Sequence, residues 1–350
     1  MALFDAEDER FGHQLPEPFR NVVHHNDSWR ESLFFIMQKR NEPGDVLILT
    51  LAHFPAHNEM DSLQLGRVGS SPVMARHART TAADPNNWNV GPVSIDIVEP
   101  KKKIHLLARK SDATPVELDI TFTARTAPYQ LRRGTMKAGN EVVWDQTHMF
   151  QSGTYNGTYT HNGKTYEVEN WWGQRDHSWG VRVHNRCPMW MWTPIQLEEG
   201  FLQVWHWEYP NGARVYTDGC FAPVGGGDPI PVIAFEHDLQ WQDAKGNDVS
   251  YGQFGEEVAG LAGVLSFTLE GGRKIVVEGT GRWAQRYSGI ATKVPNMLGG
   301  GLSEMQVTTS DGQRGSAIYE LTGQWHHRYF PIARGEKLPP LGVTPGELHS

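Results

Sequence analysis

The chain has 350 residues, which is more than one hydrophobic core usually organises, so its length predicts two domains. Hydrophobic residues make up 39% and charged residues 21%, a globular composition that excludes a disordered chain. The net charge is −8 and the basic runs, such as those at 101–103 and 132–133, are short, which disfavours binding to nucleic acid.

The first residues, MALFDAEDERFG, lack the basic and apolar regions of a signal peptide. No run in the chain reaches the roughly 18 apolar residues of a membrane span. Two cysteines, Cys187 and Cys220, are too few for a disulfide framework. We therefore expect a cytoplasmic protein with reduced thiols and no stable membrane insertion. Nothing in the sequence indicates an oligomeric state.

Strand patterns recur along the chain, whereas helical periodicity is scarce. Turn signals such as Asn162-Gly163 separate the strand candidates, which number eight in each half. This spacing predicts an all-β protein of two antiparallel barrel or sandwich halves with few short helices. The predicted strands cover 32–38, 45–54, 93–98, 104–109, 116–123, 142–149, 157–161 and 164–169, then 189–196, 201–209, 213–221, 230–241, 265–269, 274–283, 301–309 and 315–325.

Two stretches lack a clear strand pattern. Residues 1–30 are polar, and residues 57–90 are rich in Ser, Ala, Arg and Asn with weak periodicity. We expect the second stretch to form a helical or irregular lid or crossover. The strand candidates divide evenly near residues 180–186. We predict an N-terminal domain at 1–183, a C-terminal domain at 184–335 and an extended tail at 336–350.

The segment NWWGQRDHSWGVR at 170–182 concentrates aromatic and charged residues. On a strand, Arg175 and His177 would lie on one face and Asp176 on the other. One interpretation is an acid/base site, in which His177 or Asp176 transfers protons and Arg175 anchors a polar end of the substrate. The other is a buried network of ion pairs that joins the two halves. Both interpretations fit the residues.

Tryptophan occurs 13 times and is concentrated between residues 171 and 207. Methionine alternates with tryptophan at 189–192, and at 201–209 the tryptophans lie on the face opposite His206 and Glu208. One buried tryptophan usually belongs to a core, but a cluster predicts the aromatic wall of a ligand cavity. The predicted substrate-binding residues are Trp171, Trp172, Trp179, Trp190, Trp192, Trp205, Trp207 and Tyr209.

A metal site is the main competing interpretation, because the chain contains 16 histidines. His53 and His57 have helical ligand spacing, but Pro55 argues against a helix there. The chain has no HExxH, paired CxxC or GxSxG motif, and its glycine runs lack the context of a phosphate loop. We predict no cofactor and name no metal ligands, although histidines from separate strands can meet inside a barrel.

The string WWGQRDHSWGVR, preceded by the hairpin at 157–166, resembles the AttH-like and carotenoid 1,2-hydratase (hydroxyneurosporene synthase) group of lipocalin-like proteins. The resemblance is sharpest over about residues 150–210 and covers Arg175, Asp176, His177 and Trp179. It implies two packed lipocalin-like domains. It also implies action on hydrophobic molecules without a redox cofactor, by water addition to a double bond or by ring closure.

We therefore expect a cofactor-independent lyase or isomerase of hydratase or cyclase type. Its substrate would be a hydrophobic small molecule such as a terpenoid, steroid, polyketide or aromatic compound. His177, Asp176 and Arg175 would be catalytic, and the indole faces would stabilise developing positive charge. The alternatives are a non-catalytic carrier or sensor of a hydrophobic ligand and a His-ligated metalloenzyme.

Overall fold

The computed structural model describes residues 6–11, 26–81, 86–138, 140–184, 189–252, 255–287, 299–323 and 327–331. These residues form 22 β-strands and two short 3-10 helices, Glu7–Glu9 and Pro55–His57, without any α-helix. The prediction of an all-β fold with few short helices is confirmed. Within the same residues, no helix has the length and apolar character needed to cross a membrane.

The first sheet is an antiparallel barrel that nearly closes on itself. Its strands are β1 (Trp29–Gln38), β2 (Val46–Phe54), β3 (Glu59–Val68), β4 (Ser71–Thr80), β5 (Asn89–Val90), β6 (Val93–Glu99), β7 (Lys103–Ala108), β8 (Glu117–Ala124), β9 (Tyr129–Gln130), β10 (Gly134–Ala138), β11 (Glu141–His161) and β12 (Lys164–Arg182). The order is β4-β3-β2-β1-β12-β11-β8-β7-β6-β5, and β9 and β10 pair with β11. The hydroxyl of Ser62 on β3 donates to the carbonyl of Val90 on β5 at 3.4 Å, which links the two ends of the sheet.

The second sheet is a closed antiparallel barrel. Its strands are β13 (Met189–Trp192), β14 (Ile195–Gln196), β15 (Gly200–Glu208), β16 (Arg214–Pro223), β17 (Ile230–Gln242), β18 (Asp248–Val249), β19 (Gly260–Leu269), β20 (Lys274–Arg286), β21 (Gly299–Thr309) and β22 (Arg314–Gly323). Pairing of β15 with β16 completes the ring β15-β14-β22-β21-β20-β19-β17-β16. The predicted pair of lipocalin-like halves is thus confirmed.

The chain passes from the first sheet to the second between Arg182 and Met189. The domain limits at 1–183 and 184–335 stay a prediction, and the predicted tail at 336–350 lies outside the described residues.

The prediction of a lid at 57–90 is wrong, because β3 and β4 form a hairpin of two ten-residue strands. Strand β3 buries side chains on both faces, with Met60 in the core of the first barrel and Leu65 in a different cluster. Strand β4 ends the sheet and exposes most of its polar side chains. Neither strand therefore shows the regular apolar alternation that marks a half-buried strand.

Each barrel has its own apolar interior, and a third apolar cluster, which we call the seam, joins the two sheets. The large aromatic rings of both halves meet in the seam, so the halves are held together by extensive apolar burial. From the first half the seam contains Ile36, Val46, Ile48, Leu65, Leu131, Met136, Val143, Trp144 and Phe150, and from the second half Trp190, Trp192, Phe201, Trp205, Trp207, Cys220, Ala222, Ala284, Leu302 and Ile318.

Gly180 on β12 lies where the backbones approach too closely for a side chain. Its φ is +135°, and a Cβ atom there would lie 2.0 Å from the carbonyl oxygen of Asp145. We expect Gly180→Ala to lower the free energy of unfolding by about 3 kcal/mol or more, because backbone atoms cannot move aside cheaply. Chemical denaturation measures the loss. Gly163→Ala is the matched control, since Gly163 has a φ of +75° but open space around it. Gly163→Ala should lower the free energy of unfolding by only about 1–2 kcal/mol. Equal losses in the two variants would contradict the argument from close backbone approach.

Candidate active site

The motif at 170–182 lies in the second half of β12, which is hydrogen-bonded to β1 on one side and to β11 on the other. Arg175 and His177 point into the interior of the first barrel, where they meet Glu9 and Glu31. Asp176 points to the seam, as alternation along a strand requires. The three predicted catalytic residues therefore do not border one chamber.

Arg175 belongs to a saturated ion-pair network inside the first barrel. Its two terminal nitrogens each donate to one carboxylate oxygen of Glu9 at 2.6 Å, and its Nε donates to Gln151 at 2.9 Å. The backbone N–H of Lys101 also donates to Glu9, at 2.6 Å. Burial alone would raise the pKa of the Glu9 carboxyl, but the charge and hydrogen bonds of Arg175 outweigh it and the pKa is lowered. This network ties Glu9 of the N-terminal segment to β11 and β12.

His177 lies deeper in the same interior. Its Nε2 is 2.9 Å from a carboxylate oxygen of Glu31, and its ring contacts Phe11 at 5.8 Å and Trp179 at 5.4 Å between centroids. Phe11 also lies against the ring of His53, whose pKa is lowered to about 4 by burial. The N-terminal segment thus covers this histidine.

On the seam face of β12, Asp176 lies directly between two phenylalanines. Its cross-strand neighbours are Phe34 on β1 and Phe150 on β11. The indole of Trp192 from the second half contacts both rings, at 5.7 Å and 5.1 Å between centroids. Trp192 therefore lies above the Asp176 carboxyl, with the two phenyl rings as side walls.

Burial raises the pKa of Asp176 to about 7, although the charges of Arg182 and Arg30 oppose the shift. Arg182 donates to the hydroxyl of Ser178 at 2.8 Å. Within the described residues, no direct ion pair joins Asp176 to either arginine. The carboxyl is therefore a buried group that changes its charge near neutrality beside two separate cations.

The second barrel contributes a second carboxyl to the seam. Glu320 on β22 is the cross-strand neighbour of Trp192, and it accepts hydrogen bonds from the indole of Trp190 at 2.8 Å and the hydroxyl of Tyr287 at 3.0 Å. Burial raises the pKa of Glu320 as well. Two acidic groups from different halves thus face the same aromatic cluster.

Several polar atoms of the seam are buried without a hydrogen-bond partner in the described structure. Such orphaned groups are uncommon, and each costs about 1–3 kcal/mol unless a bound molecule satisfies it. These atoms are Nε of Arg30 and Arg182, Nδ1 of His148, Oε1 of Gln146 and Nε1 of Trp144, Trp192, Trp205 and Trp207. Arg30 and Arg182 act electrostatically on Asp176, and Trp192 contacts both of its phenylalanine neighbours. These three groups mark the place where a polar ligand would bind.

The structure separates the eight predicted substrate-binding aromatics. Trp190, Trp192, Trp205 and Trp207 belong to the seam, and Tyr209 packs against it. Trp171 lies in the core of the first barrel, and Trp179 contacts His177 there. Trp172 is held between the guanidinium groups of Arg40 and Arg125, at 4.6 Å and 4.4 Å.

Sequence reasoning missed most of the polar seam residues, which come from strands distant in the chain. Ser32 and His148 flank Ser178 in the same cross-strand row, and Arg30 lies one row further, opposite Gly180. Pairing of 29–38 with 172–181 is long-range, so no local pattern signals it. The only local signal was the presence of charged residues within strand-like sequence.

A second buried polar group, inside the second barrel, is the part of the described structure suited to a metal ion. It consists of His206 and Glu208 on β15 and His237 on β17. The expectation that no metal ligands could be named overlooked this group, because its members are separated by about thirty residues and face each other only in the closed barrel.

Comparison with known proteins agrees with this architecture. The model of a family described as "Family of unknown function (DUF8625)" matches residues 6–278. No curated protein sequence matches the chain.

Three solved structures are similar to the chain at low sequence identity, two of them with a TM-score above 0.5. A protein from Nitrosomonas europaea assigned to AttH is 11% identical over 86% of this chain and 94% of its own, with a TM-score of 0.56. CghA with Sch210972 is 10% identical over 85% and 89%, with a TM-score of 0.51. Kievitone hydratase from Nectria haematococca is 11% identical over 85% and 89%, with a TM-score of 0.47. The expected likeness to AttH-like proteins is therefore confirmed for the fold.

We expect Glu9→Gln to lower the free energy of unfolding by about 3–5 kcal/mol, because it leaves the charge of Arg175 buried and unpaired. Urea denaturation measures the loss. Since the pKa of Glu9 is lowered in the folded state, the native pair itself weakens in acid, and the difference should narrow as the pH falls below the ordinary value of 4.5.

The matched control is Glu236→Gln, which removes an exposed ion pair with Arg214. It should cost less than about 1 kcal/mol. If Glu9→Gln lowers the free energy of unfolding by no more than this control does, the buried charge of Arg175 does not depend on Glu9.

Proposed function

The chain belongs to the DUF8625 family, and we propose that it is a lyase or isomerase of hydratase type that acts on a hydrophobic small molecule in the seam. The observation that carries the proposal is Asp176, a buried carboxyl that titrates near neutrality beneath an indole and beside two arginines. The sequence resemblance to the carotenoid 1,2-hydratase group supports the reaction type. The shared fold supports the architecture alone.

Asp176 is the proposed proton donor and acceptor. A general acid or base works best when its pKa lies near the working pH, and burial places this carboxyl there. The phenyl rings of Phe34 and Phe150 keep it out of water, which maintains the shift.

Arg30 and Arg182 are the proposed stabilisers of negative charge. Each presents a buried Nε–H without a partner, a donor available to an oxygen atom of the substrate. Two cations near the reacting group disfavour a carbocation and favour an enolate-like intermediate. The substrate class that fits is a hydrophobic molecule with a carbonyl group next to the reacting carbons.

The proposed reaction is the loss of water from a β-hydroxy carbonyl compound, or its reverse. The Asp176 carboxylate takes the proton from the carbon next to the carbonyl, and the arginines stabilise the enolate oxygen. The enolate electrons then form the double bond as the C–O bond breaks, and Asp176 returns the proton to the departing hydroxyl as water. Addition of water follows the same steps backwards.

The indole groups are the proposed binding surface for the apolar body of the substrate. Trp192 and Trp205 lie over Phe150, and their unpartnered N–H groups offer donors to further oxygen atoms. A ligand with an apolar skeleton and several oxygens matches this surface better than a pure hydrocarbon.

Asp176→Asn should reduce turnover by about 10²–10⁴-fold while the fold is retained, because an amide cannot exchange protons at neutral pH. The assay incubates the protein with small-molecule extracts and scans by mass spectrometry for compounds that gain or lose one water. If the reaction is an isomerisation, the same scan in D2O detects it by the deuterium that the product gains from the solvent. Activity of the wild-type protein should require Asp176 as carboxylate and fall as the pH drops below about 7.

Asp243→Asn, at a partly exposed turn position of the second half, is the matched control and should keep full activity. An Asp176→Asn variant as active as this control would contradict the assignment. A wild-type protein that binds compounds from the extract but changes none of them would indicate the carrier instead.

The raised pKa of Asp176 also predicts how stability depends on pH. The folded chain holds this proton more tightly than the unfolded chain, so stability falls as the pH rises from about 4 to about 7, where the carboxyl must ionise in a buried position. Asp176→Asn has no such proton to lose. The free energy of unfolding of Asp176→Asn, relative to that of the wild type, should therefore rise between about pH 4 and about pH 7. Chemical denaturation of both proteins at the two pH values measures the change. A constant difference would show that the carboxyl is ionised throughout.

A further inference from the structure

Three imidazole groups converge on one buried carboxylate inside the second barrel, on the opposite face of β15 from the seam. Nε2 of His206 and of His237 lie 3.1 Å and 2.8 Å from Oε1 of Glu208. Nε2 of His327 lies 2.8 Å from Oε2. All four side chains are almost completely shielded from solvent.

We propose that His206, His237 and Glu208 bind a divalent first-row transition metal ion such as Zn²⁺. Two imidazoles and one carboxylate are a donor set that such ions take, with bonds of about 2.0–2.2 Å. Neighbouring ligand atoms around such an ion are roughly 3 Å apart. The measured separations of 2.8 and 3.1 Å between nitrogen and oxygen have this size.

The groups behind the ligands match those that usually orient metal-bound histidines. Nδ1 of His206 lies 2.6 Å from the hydroxyl of Thr217, and Nδ1 of His237 lies 2.7 Å from the hydroxyl of Tyr329. The Thr217 hydroxyl can accept the ring proton of His206, which frees Nε2 of His206 for the ion. Nδ1 of His237 also lies 2.8 Å from the guanidinium of Arg328, which is a donor. Binding of the ion by His237 therefore requires that its ring proton move to Nδ1 and that the exposed Arg328 side chain turn away.

His327 has a different part in the site. The backbone N–H of Tyr329 donates to its Nδ1 at 3.2 Å, so its proton lies on Nε2 and is donated to Glu208. His327 therefore orients the ligating carboxylate and is not a ligand itself. These hydrogen bonds also hold the pKa of Glu208 far below its usual range against the effect of burial.

An opening in the barrel wall lies next to the site. Strands β16 and β17 pair only at Cys220–Pro231 and Phe221–Ile230 and then separate. The opening contains a cavity of about 440 Å³ whose lining includes Thr217 and Phe235. Thr217 contacts His206 directly, and the ring of Phe235 lies 5.4 Å from it between centroids. Two residues that line this cavity therefore contact the proposed ligand His206.

The test uses untagged full-length protein, because a histidine tag would itself bind metal. The protein is treated with EDTA and titrated with Co²⁺, which gives visible absorption bands when bound by nitrogen and oxygen ligands. We expect saturation at one ion per chain, displacement of Co²⁺ by Zn²⁺ and a higher melting temperature of the metal-loaded chain. Elemental analysis of the protein as purified should find a transition metal.

The variants His206→Gln, His237→Gln and Glu208→Gln should bind Co²⁺ at least about 100-fold more weakly, and Thr217→Val about 10–100-fold more weakly. The matched control is His105→Gln, a partly exposed histidine beside Asp96 and Asp119 that reports adventitious binding. It should leave the titration unchanged.

Absence of Co²⁺ bands in folded wild-type protein would overturn the proposal, as would loss of binding in His105→Gln alone. Circular dichroism establishes which variants fold. If a ligand variant does not fold, Thr217→Val decides, since it removes only the hydroxyl behind His206. Binding by that variant as tight as wild type would count against the site.

Discussion

The structure depends on the second half of strand β12, residues 171–182, which carries charged residues although both of its faces are buried. One face lies in the interior of the first barrel and the other lies in the seam, so neither face meets solvent. A buried charge is tolerated only with a partner or with a shifted pKa. The inner face uses the first solution, since Arg175 is matched by Glu9. The seam face uses the second, since Asp176 has a raised pKa and no direct ion-pair partner among the described residues.

This difference separates structure from chemistry along one strand. Inside the first barrel, the Glu9 carboxylate and the Arg175 guanidinium satisfy each other, so a ligand would have to break a strong pair to enter. In the seam, the Nε atoms of Arg30 and Arg182 and four indole N–H groups have no hydrogen-bond partner among the described residues. A molecule that supplies hydrogen-bond acceptors to these donors would gain binding free energy there. The seam is consequently the better candidate for binding and catalysis, although Asp176 alone among the three predicted catalytic residues faces it.

Sequence patterns predicted which face of a strand each side chain occupies. They did not predict contacts between residues that are distant in the chain. Met189 and Met191 enter the second core while Trp190 and Trp192 enter the seam, and Trp205 lies opposite His206, as period-two spacing predicts. The hairpin of β3 and β4 was missed because one strand is buried on both faces and the other is an exposed edge. Glu9, Glu31 and Glu320 were missed for another reason. Their partners lie up to 166 residues away, and only the register of the sheets brings them together.

The two barrels also explain why the seam and the histidine cluster can have unrelated chemistry. Strand β15 gives Trp205 and Trp207 to the seam and His206 and Glu208 to the second barrel. The side chains of the two sites thus point in opposite directions from one strand. A change on one face alters the other only by moving β15, which is hydrogen-bonded on both sides within a closed ring. Substitutions at the histidine cluster that leave the backbone register of β15 unchanged should therefore leave the pH dependence set by Asp176 intact, because the side chains of the two sites extend from opposite faces of that strand.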